Sequence, residues 1–143
     1  MGLIHFGDKE HFCIPDEKRF NEAAIRQFCA DARLAFYDTA CEVRRLRDNA
    51  SDAFLDVIRA TDIQALLARI PECHTLVTTG EKASTIVAQA FRCPVPPVGG
   101  SIDIDIPGRD RASLRFWRMP SSSRAYPLPL EKKAEVYRQL FQL

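Results

Sequence analysis

Three consecutive hydroxyls and a cation, Ser121-Ser122-Ser123-Arg124, follow Pro120 and the aromatic-rich run FWRM. Hydroxyls, loop backbone N–H groups and a guanidinium are what hold phosphate oxygens, so this stretch could grip one or two phosphates while Arg124 projects from the loop tip. An ordinary loop is the competing reading, because Ser and Pro also make local turns. The second candidate is Thr79-Gly80-Glu81-Lys82. A helix amino terminus behind a glycine offers unpaired N–H groups and a positive dipole end to a phosphate or a polar base edge. Plain capping competes with that reading, and the GxxxxGK[ST] pattern of a nucleoside triphosphate loop is absent. Arg44, Arg45 and Arg47 form a basic cluster. Asp38 is the carboxylate at an expected strand end near these groups, open to a water-activating role or a structural one.

Such groups need a scaffold whose strand ends converge. EKRFNEAAIRQF, after Asp16, repeats Phe20, Ala24 and Phe28 at helical spacing and predicts a first helix. LAFYDTACEV, from Leu34, is apolar and β-favouring, and predicts a buried strand whose far end turns polar at Asp38 and Thr39. Thr61-Asp62-Ile63-Gln64 and Thr78-Thr79-Gly80-Glu81 have capping-box form. The helices they open carry Ile63, Leu66, Leu67 and Ile70 on one inner stripe, and Ala83, Ile86, Val87, Ala90 and Phe91 on the other. CHTLVTT, 73 to 79, is a strand between them. SIDIDI alternates, turns through PGRD and resumes as Leu114 to Met119, an exposed strand returning into a buried one. Pro129-Leu130-Glu131 begins a terminal helix with Leu130, Ala134, Tyr137 and Phe141 inward. Alternating strands and helices predict an α/β domain with a mainly parallel sheet covered on both faces. Ligands in such sheets sit beyond the carboxyl ends of the strands.

With 143 residues, 46% hydrophobic and 27% charged, the chain is expected to form a single domain over residues 1–143. A formal net charge of +1 gives no global attraction to polyanions, so a nucleic-acid site must come from local clustering. The five cysteines show no CxxC and no finger-like Cys/His spacing, which predicts reduced thiols, no metal and no iron–sulfur cluster. No Cys or Ser is paired with His in a catalytic context, and His5, His11 and His74 read as incidental. The amino end lacks a signal-peptide pattern, and no apolar run of about 18 residues is present, so no membrane partner and a cytoplasmic location are expected.

MPSSSR, between an aromatic strand and an amphipathic helix, resembles the second signature motif of the uracil-DNA glycosylase superfamily, nearest its mismatch-specific uracil/thymine branch. LVTTGEKAS and LAFYDTACEVRRLRDNASD resemble further segments of that branch, so the likeness covers roughly residues 30 to 143. It implies a three-layer αβα sandwich fold, double-stranded DNA carrying a damaged or mismatched base as partner, and hydrolysis of the N-glycosidic bond of uracil, hypoxanthine or thymine without a cofactor. By resemblance Pro120, Ser121, Ser122, Ser123 and Arg124 bind DNA, the serines gripping phosphates and Arg124 acting as the wedge, although the family's arginine stands one residue later. Thr79 and the Gly80 N–H become donors in a base pocket. The family's first motif, a Gly-x-x-Pro-Gly-like loop after the first strand, has no counterpart here. The chain is therefore expected to be amino-terminally truncated, to lack the first strand, and to form a homodimer that completes the sheet. A non-catalytic DNA-binding or scaffold protein with the same fold is the alternative, and an unrelated nucleotide-binding α/β domain is a third reading.

Overall fold

The computed structural model describes residues 1–46, 55–106 and 113–141. Two units are formed, Met1–Tyr37 with Pro129–Leu143 and Asp38–Leu128. In the second, the Ile/Asp alternation of SIDIDI becomes strand β4 (Gly100–Ile104), which pairs antiparallel with β5 (Leu114–Met119). β5 also pairs parallel with β3 (Thr75–Thr79), giving a three-stranded sheet of order β3-β5-β4. The register aligns Leu76, Phe116 and Ile102 across one face and sets Ile104 opposite Leu114. Helices α3 (Ile63–Ala68) and α4 (Glu81–Phe91) cover that face, where Ile63, Leu67, Val87 and Ala88 join Ile104, Leu114 and Phe116 in one buried cluster.

The fold is thus α/β, but the sheet is mixed where the sequence predicts a mainly parallel one. The stretch from Ile104 to Leu114 is too short for the crossover that a parallel return requires, and a hairpin-like return is what fits; its PGRD turn lies outside the described residues. The strand expected from Leu34 is also displaced. Residues 34 to 38 form no strand, Phe36 and Tyr37 are exposed, and β1 (Ala40–Arg45) begins only at Ala40. β1 pairs antiparallel with β2 (Leu55–Ala60), an element not anticipated from sequence, as a separate two-stranded sheet. Glu42, Arg44 and Arg45 on one strand and Asp56 and Arg59 on the other suit a ribbon wetted on both faces.

In the first unit, α1 (Gly2–Phe6), α2 (Glu22–Asp31) and α5 (Leu130–Arg138) are followed by a 3-10 turn, Gln139–Phe141. Asn21 caps α2 by accepting from the Ala24 N–H at 3.0 Å, so the helix starts later than the Phe20 periodicity predicts. Phe20 instead bridges to Cys13 and is exposed. His5 lies edge-on to Phe28 and Phe141 with ring centroids 4.9 and 4.4 Å away. On α5, Ala134 is buried and Tyr137 half-buried as expected, whereas Leu130, at the helix's first position, is exposed.

Truncating Phe116 to Ala should cost about 3–5 kcal/mol in denaturant unfolding, since a fully buried ring would leave a cavity. Burial pushes the Tyr137 phenol up to about 12, so the folded state holds this proton when an unfolded tyrosine, near 10, has lost it. Stability should therefore fall as pH rises from 10 to about 12. Melts of Tyr137→Phe across that window should lack this component. Desolvation, helped by the amino-terminal charge, lowers His5 below its ordinary 6.5. Its neutral form is favoured by folding, and stability should fall as pH drops below 6.5, an effect absent from His5→Phe.

Candidate functional site

Because β3 and β5 run parallel, Thr79 and Met119 end side by side and their following loops leave from one edge of the sheet. The Gly80 N–H donates to the Met119 carbonyl at 3.1 Å, and beyond that bond the two loops touch. A Cβ built on Gly80 would stand 3.5 Å from the Ser121 Cβ and 3.7 Å from its Oγ. Gly80 has φ 96° and ψ 171°, a conformation that essentially only glycine adopts. Its carbonyl accepts from the Ser84 hydroxyl at 2.6 Å, and the Ser84 Oγ lies 2.8 Å from the Thr78 Oγ1. Both hydroxyls are buried. Two protons satisfy the two shortest contacts when Thr78 donates to Ser84 and Ser84 donates to Gly80. The Thr78 hydroxyl is also 3.2 Å from the Trp117 carbonyl on β5, a second acceptor for its one proton in place of Ser84.

The serine loop is internally braced. Ser121 Oγ accepts from the Ser123 N–H, and Ser123 Oγ from the Ala125 N–H, both at 3.2 Å. These hydroxyl turns are the structural role that the sequence offered as an ordinary loop. They leave the Ser121 hydroxyl proton to donate elsewhere. Pro120 is fully buried and anchors the loop, Ser121 is half-buried, and Ser122, Ser123 and Arg124 are exposed. The Arg124 guanidinium has no partner among the described residues.

At the start of α4 no side chain caps the helix, and the N–H groups of Glu81, Lys82 and Ala83 have no partner among the described residues. Glu81 brings negative charge to this positive dipole end and sits 3.9 Å from the Arg118 guanidinium. Arg118 also donates to the Pro96 carbonyl at 3.4 Å, while its buried Nε and the Trp117 indole Nε1 have no hydrogen-bond partner among the described residues. Lys82 is directed elsewhere, its ammonium donating to the Leu55 carbonyl.

Thr79, Gly80, Pro120 and Ser121 are therefore brought together, with Ser122, Ser123 and Arg124 following on the same loop. Two expected roles change. The Gly80 N–H, anticipated as a donor to a base, is consumed by Met119, because strand pairing extends one residue past Thr79. Asp38 lies ahead of β1, not at the carboxyl end of a parallel strand; its carbonyl accepts from the Thr61 hydroxyl at 2.7 Å, and its exposed carboxylate has no partner among the described residues. The same bond removes Thr61 from its expected capping role, and Asp62 caps α3 by accepting from Ala65. Arg44 and Arg45 are on β1, and Arg47 lies outside the described residues. Sequence reasoning missed the Thr78–Ser84 clamp, although a serine on the inner side of a helix beside Val87 and Ala88 was its signal. Among the described residues no group of His, Cys, Asp and Glu is arranged to hold a metal ion.

Compared with protein-family models, curated proteins and solved structures, the chain matches none.

Replacing Gly80 by Ala should cost about 1–3 kcal/mol in urea unfolding through backbone strain, since the added Cβ itself meets only ordinary contacts. Ser122→Ala, at an exposed position, should stay within about 0.5 kcal/mol.

Proposed function

We propose that the protein is a DNA glycosylase of the uracil-DNA glycosylase type, a three-layer αβα protein acting in the cytoplasm on double-stranded DNA with a deaminated or mismatched base. The observation that carries this reading is the meeting of Gly80 with Ser121 at the carboxyl ends of two parallel strands. The two motifs that resemble the superfamily in sequence are thereby one surface, furnished with the donors a phosphate backbone needs. Free N–H groups in the first turn of α4, the Ser121 hydroxyl and the Arg124 guanidinium grip phosphates flanking the target nucleotide. Compressing those phosphates helps the nucleotide leave the stack, and Arg124 fills the vacancy. Thr79 donates to the extruded base. Hydrolysis then forms a bond from a water oxygen to C1′ as the C1′–N bond breaks, its electron pair going to the base and the water's proton to solvent.

That last step calls for a positioned water, and a specific observation favours a second reading. Glu81 is a carboxylate at the loop pair, but it is highly exposed and lies 3.9 Å from the Arg118 guanidinium at a helix amino terminus, where nothing among the described residues holds it against a water in a fixed position. A non-catalytic DNA-binding protein on the same scaffold needs nothing more than the grip.

Duplexes carrying uracil, hypoxanthine or a G·T mismatch, treated with alkali after incubation, separate the two readings. Abasic-site cleavage supports the glycosylase, and salt-dependent binding without cleavage supports the non-catalytic protein. Arg124→Ala should weaken binding and reduce the slope of log affinity against log salt by about 1. Binding that is absent, or indifferent to both salt and Arg124, would sink the DNA reading altogether.

A further inference from the structure

Among the described residues the three-stranded sheet has outer strands β3 and β4, and each strand of the β1-β2 sheet has one edge with no strand beside it. Three of these four carry the charges by which edge strands resist pairing with another chain: Asp103 in β4, Glu42, Arg44 and Arg45 in β1, and Asp56 and Arg59 in β2. β3 reads Thr75-Leu76-Val77-Thr78-Thr79, with neither a charge nor a proline. Its pairing with β5 fixes which backbone groups point outward. The His74 carbonyl and the Gly80 N–H both bond β5, so by alternation the N–H and C=O groups of Thr75, Val77 and Thr79 face away from it. Among the described residues the one outward group engaged is the Thr75 carbonyl, which accepts from the Cys73 thiol at 3.4 Å. Thr75 and Thr79 are exposed, and Val77 is 36% exposed.

We propose that this edge pairs antiparallel with β3 of a second copy of the chain, about a two-fold axis through Val77. The register is self-complementary. Val77 meets its own copy and Thr75 meets Thr79, so every outward N–H faces an outward C=O, and threonine and valine pairs are favourable cross-strand neighbours. No charge is brought opposite a like charge, which the other three edges would do in one register or another. The product is a continuous sheet of order β4-β5-β3-β3-β5-β4. Ser121 and Arg124 stand outside the paired stretch, whereas Thr79, the proposed base donor, is one of the paired residues; the inference itself rests on the backbone groups of the β3 edge and not on the DNA reading.

Pairing through five residues is small beside the roughly 1,600 Å² of a stable interface, so the dissociation constant should be on the order of 100 μM. Sedimentation equilibrium from about 10 μM to about 1 mM should show reversible dimerisation in that range. Val77→Lys and Val77→Glu should each weaken association at least about tenfold by setting like charges across the axis, and mixing the two variants should restore it. In the unmodified protein, hydrogen exchange at the Val77 and Thr79 amides should slow as concentration rises through the same range. Phe36→Ser, in the exposed apolar segment of the other unit, should leave association unchanged. A wild-type monomer at about 1 mM, amides that exchange independently of concentration, no restoration on mixing folded variants, or a dimer lost in Phe36→Ser would each overturn the proposal.

Discussion

The hydroxyl relay from Thr78 through Ser84 to the Gly80 carbonyl is the constraint on which the rest of the second unit depends. It joins the last turn of a strand to the first turn of a helix inside a buried environment. Hydrogen bonds there are strong, and a missing partner would be expensive. With its carbonyl held by Ser84 and its N–H held by Met119, Gly80 has both backbone groups committed, and its dihedrals follow. Those dihedrals are open to glycine alone, which explains why the turn carries this residue where a capping Ser or Asp would otherwise be favoured. The absent side chain then lets the serine loop approach to van der Waals contact. Packing, turn geometry and the candidate site are consequences of a single arrangement.

How far this was legible in the sequence differs by element, for physical reasons. α4 and its buried Val87 are evident because a 3.6-residue apolar period over eleven residues has no strand-like alternative. The β4 and β5 pair is evident because Ile/Asp alternation states which face is wet. The segment from Leu34 to Tyr37 misleads because apolar content reports a tendency to be buried and says nothing of whether a partner strand is present. β2 was invisible for the opposite reason: LDVIRA spreads charge through a ribbon with no dry face, so no period announces it. The capping boxes at Thr61 and Thr78 show the same limit on a smaller scale. Both threonines can cap locally, but tertiary acceptors, the Asp38 carbonyl and the Ser84 hydroxyl, compete successfully for them.

At the candidate site, sequence supplied the chemical inventory and missed its accounting. Glycine's N–H looked available because nothing local claims it. Only the parallel register of β3 against β5 reveals that Met119 does. The serines looked like donors aimed outward, yet Ser121 and Ser123 each accept a backbone N–H within their own loop. These bonds do not remove the capacity to hold an anion. A hydroxyl that accepts at its oxygen keeps its own proton, which can rotate toward a further acceptor.

Electrostatics decides what such a surface could bind. Glu81 lies where a helix amino terminus favours an anion, so an incoming phosphate must share or displace that interaction. Arg118 moderates the conflict, because its guanidinium sits within 3.9 Å of Glu81 and can hold the carboxylate aside. Glu81 is highly exposed and Arg118 largely buried, so the flexible partner is the acid and the fixed one is the base. An arriving polyanion would therefore meet a stationary positive charge and a carboxylate free to swing into water. A compact monoanion gains little from that exchange, since it replaces one carboxylate with another charge of equal size. On the proposed reading, a nucleic-acid backbone would span several phosphates and meet Arg124 as well as the helix end, so its attraction would be spread over charges that Glu81 does not neutralise.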